Sequence, residues 1–307
     1  MPAALTHYLF ALQNKENIKD VDAFLLGTQG PDPFFFFGMV PWRKKIEPKK
    51  IQGYAEELHH NDFSLIYARM ISYAHSQEGE LKDTLLDYLK GAWAHYCLDR
   101  VCHPYVFYRS GFDENGQLKG HYGYAHKVFE ALLDATLKKK HKLPSPSHAM
   151  KISKEKGMEI SKMWKQGSPE ILNGDTFYES LRDYRSIESF LQSKTGYKRI
   201  LWKLLGKENV LYAFSYPVFL KGKESLDILN LSKKEWRNPV SGASSTLSMN
   251  EMFYEAKKLY VKGMKVILEA KNIENTSTSL SNLERGIDHD GCLYGKKKVY
   301  LDESSPF

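Results

Sequence analysis

Residues 80–103 read as one long amphipathic helix, and the segment GAWAHYCLDRVCHPY (91–105) within it sets His95, Asp99 and His103 four residues apart. Positions i and i+4 lie about 40° apart around a helix, so these side chains stack on one face. Such a face is either a packed core surface that happens to carry histidines or a set of metal ligands. Pro104 disfavours α geometry in its predecessor, so the helix is expected to end at about His103.

Helical periodicity dominates the rest of the chain, and alternating strand patterns are scarce. Helices are expected near 3–13, 20–27, 49–58, 63–75, 122–140, 151–166, 175–193, 197–205 and 250–271. Asn61 or Asp62 is placed to cap the fourth of these, and Ser248 with Glu251 has the spacing of a capping box for the last. Between residues 27 and 42 the stretch GTQGPDPFFFFGMVPW is broken by Gly and Pro and reads as a turn-rich loop. The expectation is an all-α, multi-helix bundle with a metal cluster in the core of its N-terminal half. Residues 1–150 would form that core and 151–272 a helical extension packed on it. Residues 273–307, polar and without clear period, would be an extended or partly disordered tail.

A second pair, His126 and Glu130, repeats the i, i+4 step on the helix after the loop SGFDENGQLKGHYG. With 11 histidines and 37 acidic residues in 307, chance alone gives about 1.3 such pairs. The two pairs carry weight only through their arrangement. Two antiparallel helices joined by that loop bring five nitrogen and oxygen ligands together in a bundle core. Imidazole with carboxylate and no thiolate suits zinc before iron or manganese. A di-iron carboxylate bundle would need Glu three residues before a histidine, which none of these has. The one His-Asp doublet, His289–Asp290, falls in the polar tail and not in a helical core.

The ordered set MPxxxTH, GPD, LHH, HxxxDxxxHPY and HxxxE, spread over residues 1–135, resembles the zinc-dependent phospholipase C family. Its wider superfamily includes the fungal single-strand nucleases. The resemblance implies three zinc ions: one on Asp32, His59 and His95, with Asp99 bridging to a neighbour; a second on His103, His126 and Glu130; a third on Asp99, His7 and the N-terminal amine and carbonyl. Secreted members expose an N-terminal tryptophan, whereas this chain opens Met1-Pro2, so the imino group of Pro2 or the amine of Met1 is expected in its place. An apolar residue precedes the ligand in the family pattern, which favours His59 over His60 in ELHHND. Asp32 would also orient or deprotonate the attacking water. His121 is a substrate-side residue or a loop end, and His75, His141 and His148 read as ordinary helix or surface histidines.

The reading that follows is a metal-dependent phosphodiesterase resembling phospholipase C, acting on a phosphodiester that includes phospholipid as a candidate, with peripheral membrane contact. Alternatives are a nuclease-like phosphodiesterase and a non-catalytic, metal-stabilised helical module. A nuclease should interleave basic and aromatic residues along a groove, and the basic runs at 138–140 and 296–298 are scattered instead, so no stable nucleic-acid partner is expected. The net charge of +7 decides nothing by itself. Cys97, Cys102 and Cys292 make no disulfide framework, and the N-terminus lacks a basic, cleavable leader, which together suggest a cytoplasmic home. Phe34 to Phe37, beside Asp32, either wall the cleft or plug the core between helices.

Overall fold

The computed structural model describes residues 4–144, 150–191, 196–204, 212, 215 and 226–305. Among them the fold is all-α, as expected. Nine helices occupy the first two thirds: α1 (Ala4–Leu12), α2 (Val21–Gly27), α3 (Pro48–His60), α4 (Ser64–His75), α5 (Gly79–Ser110), α6 (His121–His141), α7 (Lys154–Gly167), α8 (Thr176–Leu191) and α9 (Tyr197–Leu204). Two more follow, α10 (Met249–Leu268) and α11 (Ile273–Glu284). The one sheet among the described residues is an antiparallel pair, β1 (Trp236–Arg237) with β2 (Ser244–Ser245), in which Trp236 faces Ser245. No helix among the described residues is long and apolar enough to cross a membrane.

The 32-residue α5 is the axis of the fold. Helix α2 crosses it where Gly27 meets Gly91: a Cβ at Gly27 would lie 2.1 Å from the Tyr88 carbonyl oxygen, and one at Gly91 2.2 Å from that of Phe24. Only backbone against backbone fits there. Helix α10 packs along another side of α5, and its Phe253 meets Phe10 of α1 edge-on at 5.6 Å. The N-terminal and later helices therefore bury their apolar faces in one shared core. The expected capping box starts α10, with the Glu251 carboxylate accepting the Ser248 N–H at 2.9 Å. Asp62 likewise serves the start of α4, accepting the Ser64 N–H at 2.8 Å.

Helix α1 is anchored from a distant helix. The Asp134 carboxylate on α6 accepts from the Leu5 and Thr6 N–H groups at 3.0 and 2.8 Å, and from the Thr6 hydroxyl at 2.8 Å. Those are first-turn donors that a helix cannot satisfy itself. The bonds fix α1, and with it His7, against the helix that carries His126 and Glu130.

Two expectations fail. Helix α5 does not stop at His103 but runs through Pro104 to Ser110. An interior proline costs about 3 kcal/mol, whereas Tyr105, Val106 and Phe107 are buried beyond it. Each contributes roughly 1.5–3 kcal/mol. Packing outweighs the break. The tail also differs: α11 fills 273–284, with the Asn272 side chain capping Asn275 N–H at 2.9 Å. Its Ser/Thr-rich sequence has weak intrinsic helicity, and packing of buried Thr276 and Leu280 beside α4 sustains it. Beyond it, a turn closed by the Ile287–Leu293 bridge buries Asp288, His289, Asp290 and Cys292.

Candidate metal centre

Five elements supply the eight residues that the sequence singles out. His7 comes from α1, Asp32 from a short 3-10 helix (Asp32–Phe36), His59 from the last turn of α3, and His95, Asp99 and His103 from α5. His126 and Glu130 come from α6, on the far side of the 111–120 loop. All eight are buried, none more than 4% exposed. Their ligand atoms gather into three groups, His7–His95–Asp99, Asp32–His59–His95 and His103–His126–Glu130.

The separations inside the groups are short. Asp99 lies between two imidazoles, with Oδ1 3.0 Å from His7 Nε2 and Oδ2 3.0 Å from His95 Nε2. Asp32 Oδ1 is 3.1 Å from His59 Nε2 and 4.0 Å from His95 Nε2. In the third group Glu130 Oε1 is 3.1 Å from His126 Nε2 and 3.8 Å from His103 Nε2. His60, the neighbour of His59, is instead partly exposed and faces Asp288 and Asp290.

Hydrogen bonds on the outer nitrogens decide which nitrogen faces inward. His59 Nδ1 donates to the Ala55 carbonyl at 2.7 Å, His95 Nδ1 to that of Thr28 at 3.1 Å, and His103 Nδ1 to that of His289 at 2.9 Å. A carbonyl only accepts, so each Nδ1 carries the hydrogen and Nε2 keeps its lone pair when the ring is neutral. His126 Nδ1 pairs with the Ser110 hydroxyl at 3.2 Å. This is the orientation that backbone and side-chain partners impose on metal-ligating imidazoles.

Charge is arranged to match. Burial works to raise Asp99, but His95, His103 and His7 outweigh it and hold the carboxyl far below its usual range. Asp32 and Glu130 are depressed too, burial again being overcome, chiefly by His95 for the first and Lys127 for the second. Burial lowers His7, and pushes His126 down to about 4 despite Glu130 beside it. Ionised carboxylates with neutral imidazoles are the protonation states a metal ion needs. His95 and His103 go the other way: burial lowers them, and the neighbouring carboxylates together more than compensate, Asp99 first, with Asp32 for His95 and Glu130 for His103. Their positive charge is what a metal ion would replace.

Several of these atoms are buried without a hydrogen bond. His7 Nε2, His95 Nε2, His103 Nε2 and both Asp99 oxygens are close to partners yet not aligned with them. Leaving a buried polar atom unmade costs about 1–3 kcal/mol, so a cluster of five calls for a common partner. Nitrogen and carboxylate oxygen at about 3 Å from one another, without thiolate, could hold a divalent metal ion. Met1 and Pro2, expected to complete the third site, lie outside the described residues, as does His148. His75 bonds the Ile267 carbonyl at 2.8 Å, and His121 begins α6.

Sequence reasoning missed the C-terminal contribution. The His289 ring lies 4.8 Å from that of His59 and 5.6 Å from that of His95, and the His289 backbone N–H donates to the His59 carbonyl at 3.0 Å. Gly291 is pressed onto the Arg100 carbonyl that Pro104 leaves without its helical N–H; a Cβ there would sit 2.3 Å from that oxygen, and φ is +69°. Asp290 Oδ1 reaches within 3.8 Å of His103 Nδ1, and its other oxygen takes the Lys298 ammonium at 2.7 Å. Lys298, part of the basic run 296–298, is thus drawn inward and lies 4.2 Å from the Phe107 ring centre. The His289–Asp290 doublet was visible, but its polar surroundings hid its place.

A cleft of about 910 Å³ opens over the centre. His59 and His126 reach its wall, with Lys127 and Lys298 beside them and Phe35, Trp42, Phe107 and Phe190 among its apolar lining. The phenylalanine run divides between its two readings. Phe34 is core, edge-on to Trp164 at 5.2 Å, while Phe35 lies 5.1 Å from His59 in the cleft and Phe36 stacks on Tyr184 at 4.2 Å. Comparison of the chain with protein-family models, with curated proteins and with solved structures finds no match.

Proposed function

We propose that the chain is a metal-dependent phosphodiesterase, resembling the zinc-dependent phospholipases C, with zinc as its ion. The observation that carries this reading is the convergence of eight buried ligand-type residues into three groups beneath one cleft. Asp32, His59 and His95 would hold one ion, with Asp99 bridging to a neighbour, His103, His126 and Glu130 another, and Asp99 with His7 would take part in a third. Divalent ions bound there supply positive charge to the phosphoryl oxygens and make a nearby water acidic enough to attack phosphorus.

The chain's own residues do the rest. Asp32, kept ionised by His95 and His59, is the carboxylate that orients the attacking water and takes its proton. Lys127 and Lys298 set two ammonium groups at the cleft wall, where they attract the anionic diester. Their charges are partly engaged, Lys127 with Glu130 at 2.9 Å and Lys298 with Asp290. Attack forms one phosphorus–oxygen bond and breaks the ester bond opposite, and the departing alcohol oxygen takes up a proton. The apolar cleft walls favour a lipid-like diester over a polar one.

The test is turnover of a chromogenic phosphodiester and of phosphatidylcholine by zinc-reconstituted protein, beside a folded His126→Ala variant. Activity that disappears in the variant supports the reading. Unchanged activity in His126→Ala contradicts the site. A fully loaded yet inert wild type favours a metal-stabilised helical module.

A further inference from the structure

We infer that the mouth of the cleft is a docking surface for a lipid bilayer bearing anionic headgroups. The segment GMVPWRKKIEPKK, residues 38–50, runs from the 3-10 helix into the first turn of α3, and its residues 39–42 line one lip of that mouth. Trp42 is 76% exposed, Ile46 88% and Met39 50%. Leu118 and Phe190, from other parts of the rim, are exposed as well. Single exposed apolar residues are ordinary, but a group around one opening marks an interaction site.

The lip is held in a fixed attitude. Gly38 N–H and the Arg43 guanidinium both bond Asp183 on α8, at 2.9 and 3.2 Å, and Lys45 pairs with Glu179 on the same helix. Residues 43 and 45 thus turn inward, and 42, 44 and 46 turn out. Outward residues are therefore an indole, an ammonium and a branched aliphatic chain. Exposed Lys44, Lys49 and Lys50 form no ion pair among the described residues, and Glu47 is the one acid in the segment. On the Phe190 side the surface continues into α9, which exposes Tyr197, Ile200, Leu201 and Leu204 at helical spacing, with Trp202 6.0 Å from Phe190.

The chemistry selects the partner. Protein interfaces deplete lysine around their apolar centres, whereas lysine around Trp and aliphatic side chains suits the headgroup boundary of an anionic leaflet. Single-stranded nucleic acid would want aromatic platforms in series, and this lip offers one indole among aliphatic chains.

The test is co-sedimentation of the full chain with phosphatidylcholine vesicles, with and without about one third phosphatidylglycerol. Binding to the anionic vesicles is expected at low salt, weakening as salt rises. Trp42→Ser combined with Ile46→Ser should lower it tenfold or more with an unchanged melting temperature. Lys44→Glu, Lys49→Glu and Lys50→Glu together should abolish the preference for phosphatidylglycerol. Absence of vesicle binding at low salt, binding indifferent to these substitutions, or a Trp42/Ile46 variant that alters self-association instead would overturn the inference. Because binding is read rather than turnover, an inert metal centre leaves the inference standing, and an active enzyme that ignores vesicles refutes it alone.

Discussion

The carbonyl oxygen of His289 takes the Nδ1–H of His103 at 2.9 Å, across 186 positions of sequence. Through that bond the C-terminal segment sets the tautomer of an imidazole on the central helix. The segment is seated there by Gly291, which occupies the notch that Pro104 makes at Arg100.

Gly291→Ala should therefore disturb both stability and the metal centre. The added Cβ meets the Arg100 oxygen and adopts a left-handed backbone, for a combined cost of about 2–4 kcal/mol. Urea unfolding measures the first effect, and zinc affinity at the His103–His126–Glu130 group the second. A variant with wild-type values for both would refute the coupling.

Metal removal should destabilise the fold. Without an ion, Asp99, Asp32 and Glu130 remain buried with charge compensated chiefly by imidazoles and lysine. Zinc at a hundredfold excess over its dissociation constant should stabilise by about 2.7 kcal/mol per site. Asp99→Asn should lose part of that gain, since Asp99 faces both His7 and His95. Thermal melts after chelation and during zinc titration give the answer.

The two adjacent histidines of α3 should behave oppositely. His59 is 4% exposed and sits on Asp32, whereas the Asp288 and Glu56 carboxylates push His60, on the outer side, up to about 10. His59→Ala should lower metal content by about one ion per chain and His60→Ala should leave it unchanged. The reverse result would move the ligand by one residue.

Glu284 makes stability depend on pH. Burial, with Asp62 nearby, raises its carboxyl to about 8 against the opposing Tyr294 hydrogen bond. The folded state thus keeps a proton that the unfolded chain releases near pH 4.5. Stability from this group is complete below that pH and is lost as pH rises through 8, on the order of 2–4 kcal/mol. Glu284→Gln should flatten this slope, leaving the variant more stable than the wild type at pH 8–9. Melting curves across pH 5–9 show it, and identical slopes would contradict the account.

Much of this was legible from periodicity and spacing. Steps of four placed His95, Asp99 and His103 on one face, and the same step on the next helix placed His126 and Glu130. The order of Asp32 and His59 along the chain was informative only through resemblance, because neither a GPDP turn nor a histidine pair signals a ligand by itself. Three features escaped. Helix α5 crosses Pro104 because tertiary burial exceeds a local penalty, which sequence rules weigh in the opposite direction. Helix α11 has little intrinsic propensity and is held by packing. His289, Asp290 and Lys298 reach the centre through a long-range return of the chain that no local pattern encodes.

The most direct measurement is zinc content per chain after reconstitution and desalting, for the wild type and for Glu130→Gln. With three groups of ligand atoms present, the wild type should retain about two to three ions and the variant about one fewer. A folded wild type that retains none would make the buried histidines structural and remove the basis of the proposed chemistry.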